Sequence, residues 1–86
     1  KEGKFSLKMP KIEKDLEKET LKWLKKIGVE RKKIKKVEDK EFLENIEAYI
    51  KDTGYFLEKK DLIRAFEAVI WAWAWLEIGK RKGILK

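Results

Sequence analysis

Apolar side chains return every three or four residues along most of this chain, the period of a helix with one face in a core. Ile12, Leu16, Trp23 and Ile27 make the first such stripe, with Thr20 filling a position in it. Leu24 widens the stripe and Leu21 lies on the opposite side. Pro10 suits a first helical turn, where its missing N–H costs nothing, and Gly28 can take the left-handed C-terminal cap. The spacing therefore predicts a first helix over about residues 10–27. The stretch VERKKIKKVE, 29–38, reads as a connection tacked down by Ile34 and Val37. A second helix is predicted over about 39–59, with Asp39 as its N-cap and Phe42, Ile46, Tyr49, Ile50, Thr53, Phe56 and Leu57 on one face. Tyr55 and Gly54 fall off that stripe, and Gly54 is expected where a neighbouring helix comes close. The stretch EKKD breaks the pattern, and Asp61 is placed to cap a third helix over about 62–81, with Gly83 as its stop. Residues 1–9 carry little beyond Phe5, Leu7 and Met9.

Within the third helix the run AVIWAWAWLEIG places a tryptophan at every second position. A strand would put Trp71, Trp73 and Trp75 on one side, but no partner strand or hairpin turn is near and Ala is a poor strand former. A membrane span fails on length: the uncharged run from Ala68 to Leu76 has nine residues, and a span needs about 20. As a helix, the run divides the tryptophans. Trp73 joins Leu62, Phe66, Val69 and Leu76, flanked by Ala65 and Ala72, while Trp71, Trp75 and Ile78 fall on the opposite side. A helix apolar on two faces is normally covered on both. Either the first helix covers Trp71 and Trp75 as core, which its length allows, or these residues stay partly exposed as an oligomer or partner surface.

Composition narrows the chemistry. At 86 residues the chain is expected to form one domain, 1–86, with a modest core. It has neither Cys nor His, which removes thiolate metal sites, disulfides and the usual general base at neutral pH. Charged residues make up 45% of the chain, with no Gln and only Asn45 as an amide, a balance that fits a hyperthermophile cytosol. No signal-peptide pattern is read near the start, and because the chain opens on Lys1 rather than Met, a start upstream is expected. The net charge of +7 is uneven: residues 1–36 carry +8, residues 37–79 carry −5 and residues 80–86 carry +4. A uniformly basic surface would point more strongly to nucleic acid.

No glycine-rich phosphate loop is present. Asp52, Glu58, Asp61, Glu67 and Glu77 supply carboxylates, but helical metal sites typically add a His. The expectation is therefore no cofactor, no metal and no catalytic residue. Asp61 reads as a cap, and Asp52 and Arg64 as partners in local ion pairs. The cluster RKKIKK has two readings. One is a solvated thermophile loop. The other is phosphate-backbone contact through Arg31, Lys32, Lys33, Lys35 and Lys36, aided by Lys22, Lys25 and Lys26.

The stretch YIKDTGYFLEKKDLIRAFEAVIWAWAWLEIG, Tyr49 to Gly79, resembles a small archaeal family of helical bundles known only as a domain of unknown function. The resemblance is carried by Tyr49, Asp52, Tyr55, Phe56, Leu57, Asp61, Ala65, Phe66, Glu67, Ala68, Ala72, Trp75, Leu76 and Gly79. Three positions depart from its pattern: Thr53 stands for Ala, Lys60 for the turn Gly, and Glu77 for Asp. Lys60 must then adopt or avoid the left-handed conformation. The resemblance implies an all-α fold and an archaeal cytosolic origin, and no activity. More weakly, the pair around EKKDLIRAFEA is similar to a tetratricopeptide-type hairpin, though one pair is not an array. It is also similar to helical nucleases with an Arg and His site, for which Arg64 has no His partner here.

The expected architecture is an all-α, antiparallel three-helix bundle with the C-terminal helix at its centre. The expected role is a non-enzymatic, cytoplasmic protein-interaction or scaffold module using Trp71, Trp75 and Ile78, with a protein partner or a homodimer. The alternative is a nucleic-acid-associated protein using the basic N-terminal half. No membrane partner is expected.

Overall fold

The computed structural model describes residues 10–86, and the reading of Phe5, Leu7 and Met9 lies outside them. Three helices follow in order: α1 (Lys11–Lys32), α2 (Lys40–Glu58) and α3 (Leu62–Arg81). They run up, down and up. Near one end of the bundle Ile12 and Leu16 of α1 border the same groove as Leu62 and Ile63 of α3. Near the other, Lys80 of α3 reaches Glu30 of α1 at 3.1 Å. Helix α3 packs most extensively on α2, also packs on α1, and separates the two, which barely touch. The central place expected for the third helix is therefore what the chain adopts.

Local chemistry sets most helix ends. Asp39 caps α2 by accepting from the Glu41 N–H at 2.9 Å, and Asp61 caps α3 by accepting from the Arg64 N–H at 3.3 Å. Helix α2 ends in a Schellman turn: the Asp61 N–H donates to the Phe56 carbonyl at 2.9 Å and the Lys60 N–H to that of Leu57 at 3.1 Å. The turn needs a left-handed residue, and Lys60 adopts it with φ 62°. Helix α3 ends in the same turn with Gly83 at φ 73°, where the Ile84 N–H reaches the Gly79 carbonyl at 2.8 Å.

The first helix departs from its expected end. Gly28 stays helical, and α1 runs on to Lys32. Glycine permits a left-handed cap but does not demand one. Contacts distant in sequence hold the extra turn: Arg31 donates to Glu47 of α2 from Nε at 2.7 Å and also from its terminal nitrogen, and Glu30 binds Lys80. Pro10 sits just before the helix, its carbonyl accepting from the Lys14 N–H at 3.1 Å. Gly54 also differs from expectation, since a Cβ built there meets nothing within 4 Å. The close approach falls at Gly79, where a Cβ would stand 2.5 Å from Leu85 Cδ1 and 3.2 Å from Phe42 Cδ2.

Leu85 explains that approach. After Gly83 the chain folds back, buries Leu85 over Gly79 and pairs with the α1–α2 connection. The Lys36 N–H donates to the Lys86 carbonyl at 2.9 Å, the Lys86 N–H to that of Lys36 at 2.9 Å, and the Glu38 N–H to that of Ile84 at 2.8 Å. Ile27, Ile46, Val69, Ala72 and Leu76 complete the core with Leu85. Burying each larger side chain contributes about 1.5–3 kcal/mol. Thr20 and Thr53 lie fully buried in the apolar stripes. Their hydroxyls donate to carbonyls one turn back, Leu16 at 2.8 Å and Tyr49 at 2.7 Å, which satisfies them inside a dry core.

Candidate interaction surface

The inner face of α3 is Leu62, Ala65, Val69, Ala72 and Leu76, a run at alternating spacings of three and four residues that is buried throughout. Its small residues let α1 and α2 come close on either side. The three tryptophans then go three ways. Trp73 turns to α1, edge-on to Trp23 at 5.6 Å between ring centroids, and its indole N–H donates to the Trp23 carbonyl at 3.1 Å. Trp75 turns to the start of α2, edge-on to Phe42 at 4.9 Å. Trp71 leans outward over α2 and stacks on Tyr49 at 6.3 Å.

Trp71, Trp75 and Ile78 therefore do not form one exposed group. Phe42 half-buries Trp75 and withdraws it from the open side, a contact from another helix that spacing along α3 does not contain. Neither helix covers the remaining side of α3. There Ile63 is 68% exposed, Ile70 45%, Trp71 56% and Ile78 46%, with half-buried Ala74 between the last two isoleucines. Positions 63, 70, 74 and 78 recur at helical spacing and form one line along the outer face. The largest apolar patch on a small protein is often functional. Glu67 and Glu77, both exposed, flank it, and Arg81 and Lys82 follow at its end, while Lys80 turns to Glu30 of α1.

The basic cluster is divided. Arg31 is held by Glu47, Lys33 pairs with Glu30 at 3.2 Å and Lys36 lies 3.9 Å from Glu38. Lys32 ends α1, while Lys35 and Lys36 belong to the connection strapped down by the C-terminal tail. A different basic row is continuous on α1: Lys18, Lys25 and Lys32 recur every seventh residue, all exposed, and make no ion pair among the described residues. Lys26 and Lys22 sit over the Trp23 ring, at 4.8 and 5.3 Å from its centroid. The groove lined by Lys18, Leu21, Lys22, Leu24 and Lys25 is built by α1 alone, so it is a surface shelf.

The carboxylates with shifted titration are all held ionised. Lys80 and then Lys33 keep the Glu30 carboxyl below its usual value. Lys22 and then the Trp23 indole do so for Glu19. The Arg64 guanidinium and then the Arg64 N–H lower Asp61, and Asp61 raises Arg64 in turn. Arg64 thus makes the local pair expected of it, at 2.7 Å, whereas Asp52 makes none among the described residues. Among those residues no three carboxylates converge as a metal site would require, and no helix is long and apolar enough to cross a membrane.

A family model described as "Protein of unknown function (DUF357)" matches residues 14–85. A crystal structure of protein AF1782 from the archaeon Archaeoglobus fulgidus, assigned to the same family, is similar in fold with a TM-score of 0.82. It is 57% identical in sequence and spans 87% of this chain and 96% of its own. No curated protein matches.

Proposed function

The chain belongs to the DUF357 family, a family of unknown function, and from that premise we propose that it works as a non-enzymatic protein-interaction module through the outer face of α3. One observation carries this reading. The fold's need for apolar surface on α3 is met by its inner face, yet Ile63, Ile70, Trp71 and Ile78 stand in water on the other side. Solvated helix faces are usually charged. A large aromatic leaning on a rigid neighbour is the kind of anchor that dominates interface energy, and truncating one often costs about 2 kcal/mol of binding. The absence of His and Cys and the lowered carboxyls support a role without acid–base chemistry. The Lys- and Glu-rich, amide-poor composition supports an archaeal cytosol at high temperature as its setting.

The test is a photo-activated cross-linking residue at position 70, with position 48 on exposed α2 as control. The reading expects an adduct from native extract at 70 and none at 48. Equal labelling, or none at either position, removes it.

A second reading is phosphate-backbone contact through the row Lys18, Lys25 and Lys32, favoured by its freedom from acidic partners among the described residues. It expects polynucleotide affinity that falls steeply with salt and is lost in Lys18→Glu/Lys25→Glu/Lys32→Glu. Affinity that the triple variant retains excludes it.

A further inference from the structure

We propose that the outer face of α3 receives a second copy of this chain, antiparallel to the first, about a two-fold axis passing at Ala74. This rests on the reading above that the face is a protein surface. It adds the partner and its register.

Self-complementarity of the face points to a second copy. In a two-fold pair the same patch serves both molecules, so residue i meets j and j meets i. For antiparallel helices crossing at Ala74, positions equally far from it on either side share a layer. Glu67, Ala74 and Arg81 are spaced by seven residues each and lie in one line on this face. The layers follow directly. Ala74 meets the partner's Ala74, where two small side chains let the helix axes approach to about 8–10 Å. Ile70 meets the partner's Ile78, twice by symmetry, and Trp71 flanks that layer opposite the partner's Glu77. Glu67 meets the partner's Arg81, again twice, beside Lys82 just past the end of α3.

Charge fixes direction as well as partner. A parallel pair in the same line would set Glu67 on Glu67 and Arg81 on Arg81, and like charges across an interface are repelled. Of the two, only the antiparallel arrangement sets Glu67 against Arg81. The patch is small. A dimer built on so small a patch is expected to be weak and to dissociate on dilution.

The experiment is sedimentation of the 10.3 kDa chain over a wide concentration range, with Glu67→Arg and Arg81→Glu made singly, mixed and combined. Both side chains are exposed, and circular dichroism checks that each variant folds. The wild type is expected to move reversibly from monomer to dimer mass. Each single variant should weaken dimerisation at least tenfold, because it places like charges in two layers. Mixing the two single variants should restore it. In their heterodimer the introduced arginine of one chain meets the introduced glutamate of the other, and the second layer keeps the native pairing of Glu67 with Arg81. The double variant should also recover. A wild type that stays monomeric overturns the pairing, as do variants that dimerise unchanged or a mixture without rescue. A monomeric wild type whose position-70 cross-linker still captures a protein of another mass overturns the pairing alone and leaves the interaction surface standing. No adduct at all would remove both.

Discussion

The two sides of α3 are built from similar residues and do different work. The inner side, Leu62, Ala65, Val69, Ala72 and Leu76, is dry and is gripped by α1 and α2. The outer side, Ile63, Ile70, Ala74 and Ile78, is left open, with Trp71 at its edge leaning on Tyr49 of α2. Removing apolar surface from water is what stabilises a small bundle, so the inner side accounts for the fold. The outer side, left about half exposed or more, contributes far less. Two apolar faces on one helix thus separate what the chain needs in order to fold from what it needs for something else.

That contrast can be broken most sharply by paired truncations. Leu76→Ala should lower unfolding free energy by about 2–5 kcal/mol in denaturant titrations, because it opens a cavity between three elements. Ile78→Ala, measured where the protein is monomeric, should change it by less than about 0.5 kcal/mol. Equal losses would mean that the outer side is also core. Next in size is Gly79→Ala. Its new methyl would drive Leu85 off the helix, and overpacking of this kind outweighs the helix propensity gained, for a net loss of about 1–2 kcal/mol.

A backbone effect independent of either face gives the scale. Lys60→Gly should raise stability by about 1 kcal/mol, because the left-handed turn before α3 penalises any residue with a Cβ. A decrease would show that the Lys60 side chain contributes more than its strain costs. The smallest effect is expected at the cap of α3. Asp61 titrates below its ordinary value of 3.8 in the folded protein. Its ionised form therefore contributes stability above that value, and the contribution is lost as pH falls through the lowered folded value. The melting-temperature gap between the parent and Asp61→Asn should be open at pH 7 and narrow in strong acid. A gap constant with pH would leave the carboxylate's charge without a role.

Much of the architecture is legible in the sequence because its determinants are local. Asp39, Asp61 and Gly83 act within a few residues of themselves, and the second and third helices begin and end where these residues place them. The stripes with Thr20 and Thr53 are legible for the same reason, since each hydroxyl bonds within its own turn. The first helix overruns Gly28 because ion pairs from Arg31 and Glu30 to other helices hold its last turn. The close approach expected at Gly54 belongs instead to Gly79, whose partner Leu85 arrives from a returning tail. Ile84 and Leu85 just beyond Gly83 are the available signal, since a Schellman turn often sets an apolar residue back on its helix. Half of the candidate surface is readable: Trp71 and Ile78 are exposed, while Trp75 is taken by Phe42. Ile63 and Ile70 escape a reading centred on the tryptophans, although their isoleucine line runs beside the same alternation.

The most direct test is residue-resolved nuclear magnetic resonance of the wild-type chain as its concentration rises to about 1 mM, which populates even a weak dimer. Concentration-dependent shifts are predicted at Glu67, Ile70, Trp71, Ala74 and Ile78, with Lys18 and Lys25 on α1 unmoved. Spectra that do not change, or shifts that gather on α1 instead, would contradict a self-complementary outer face on α3.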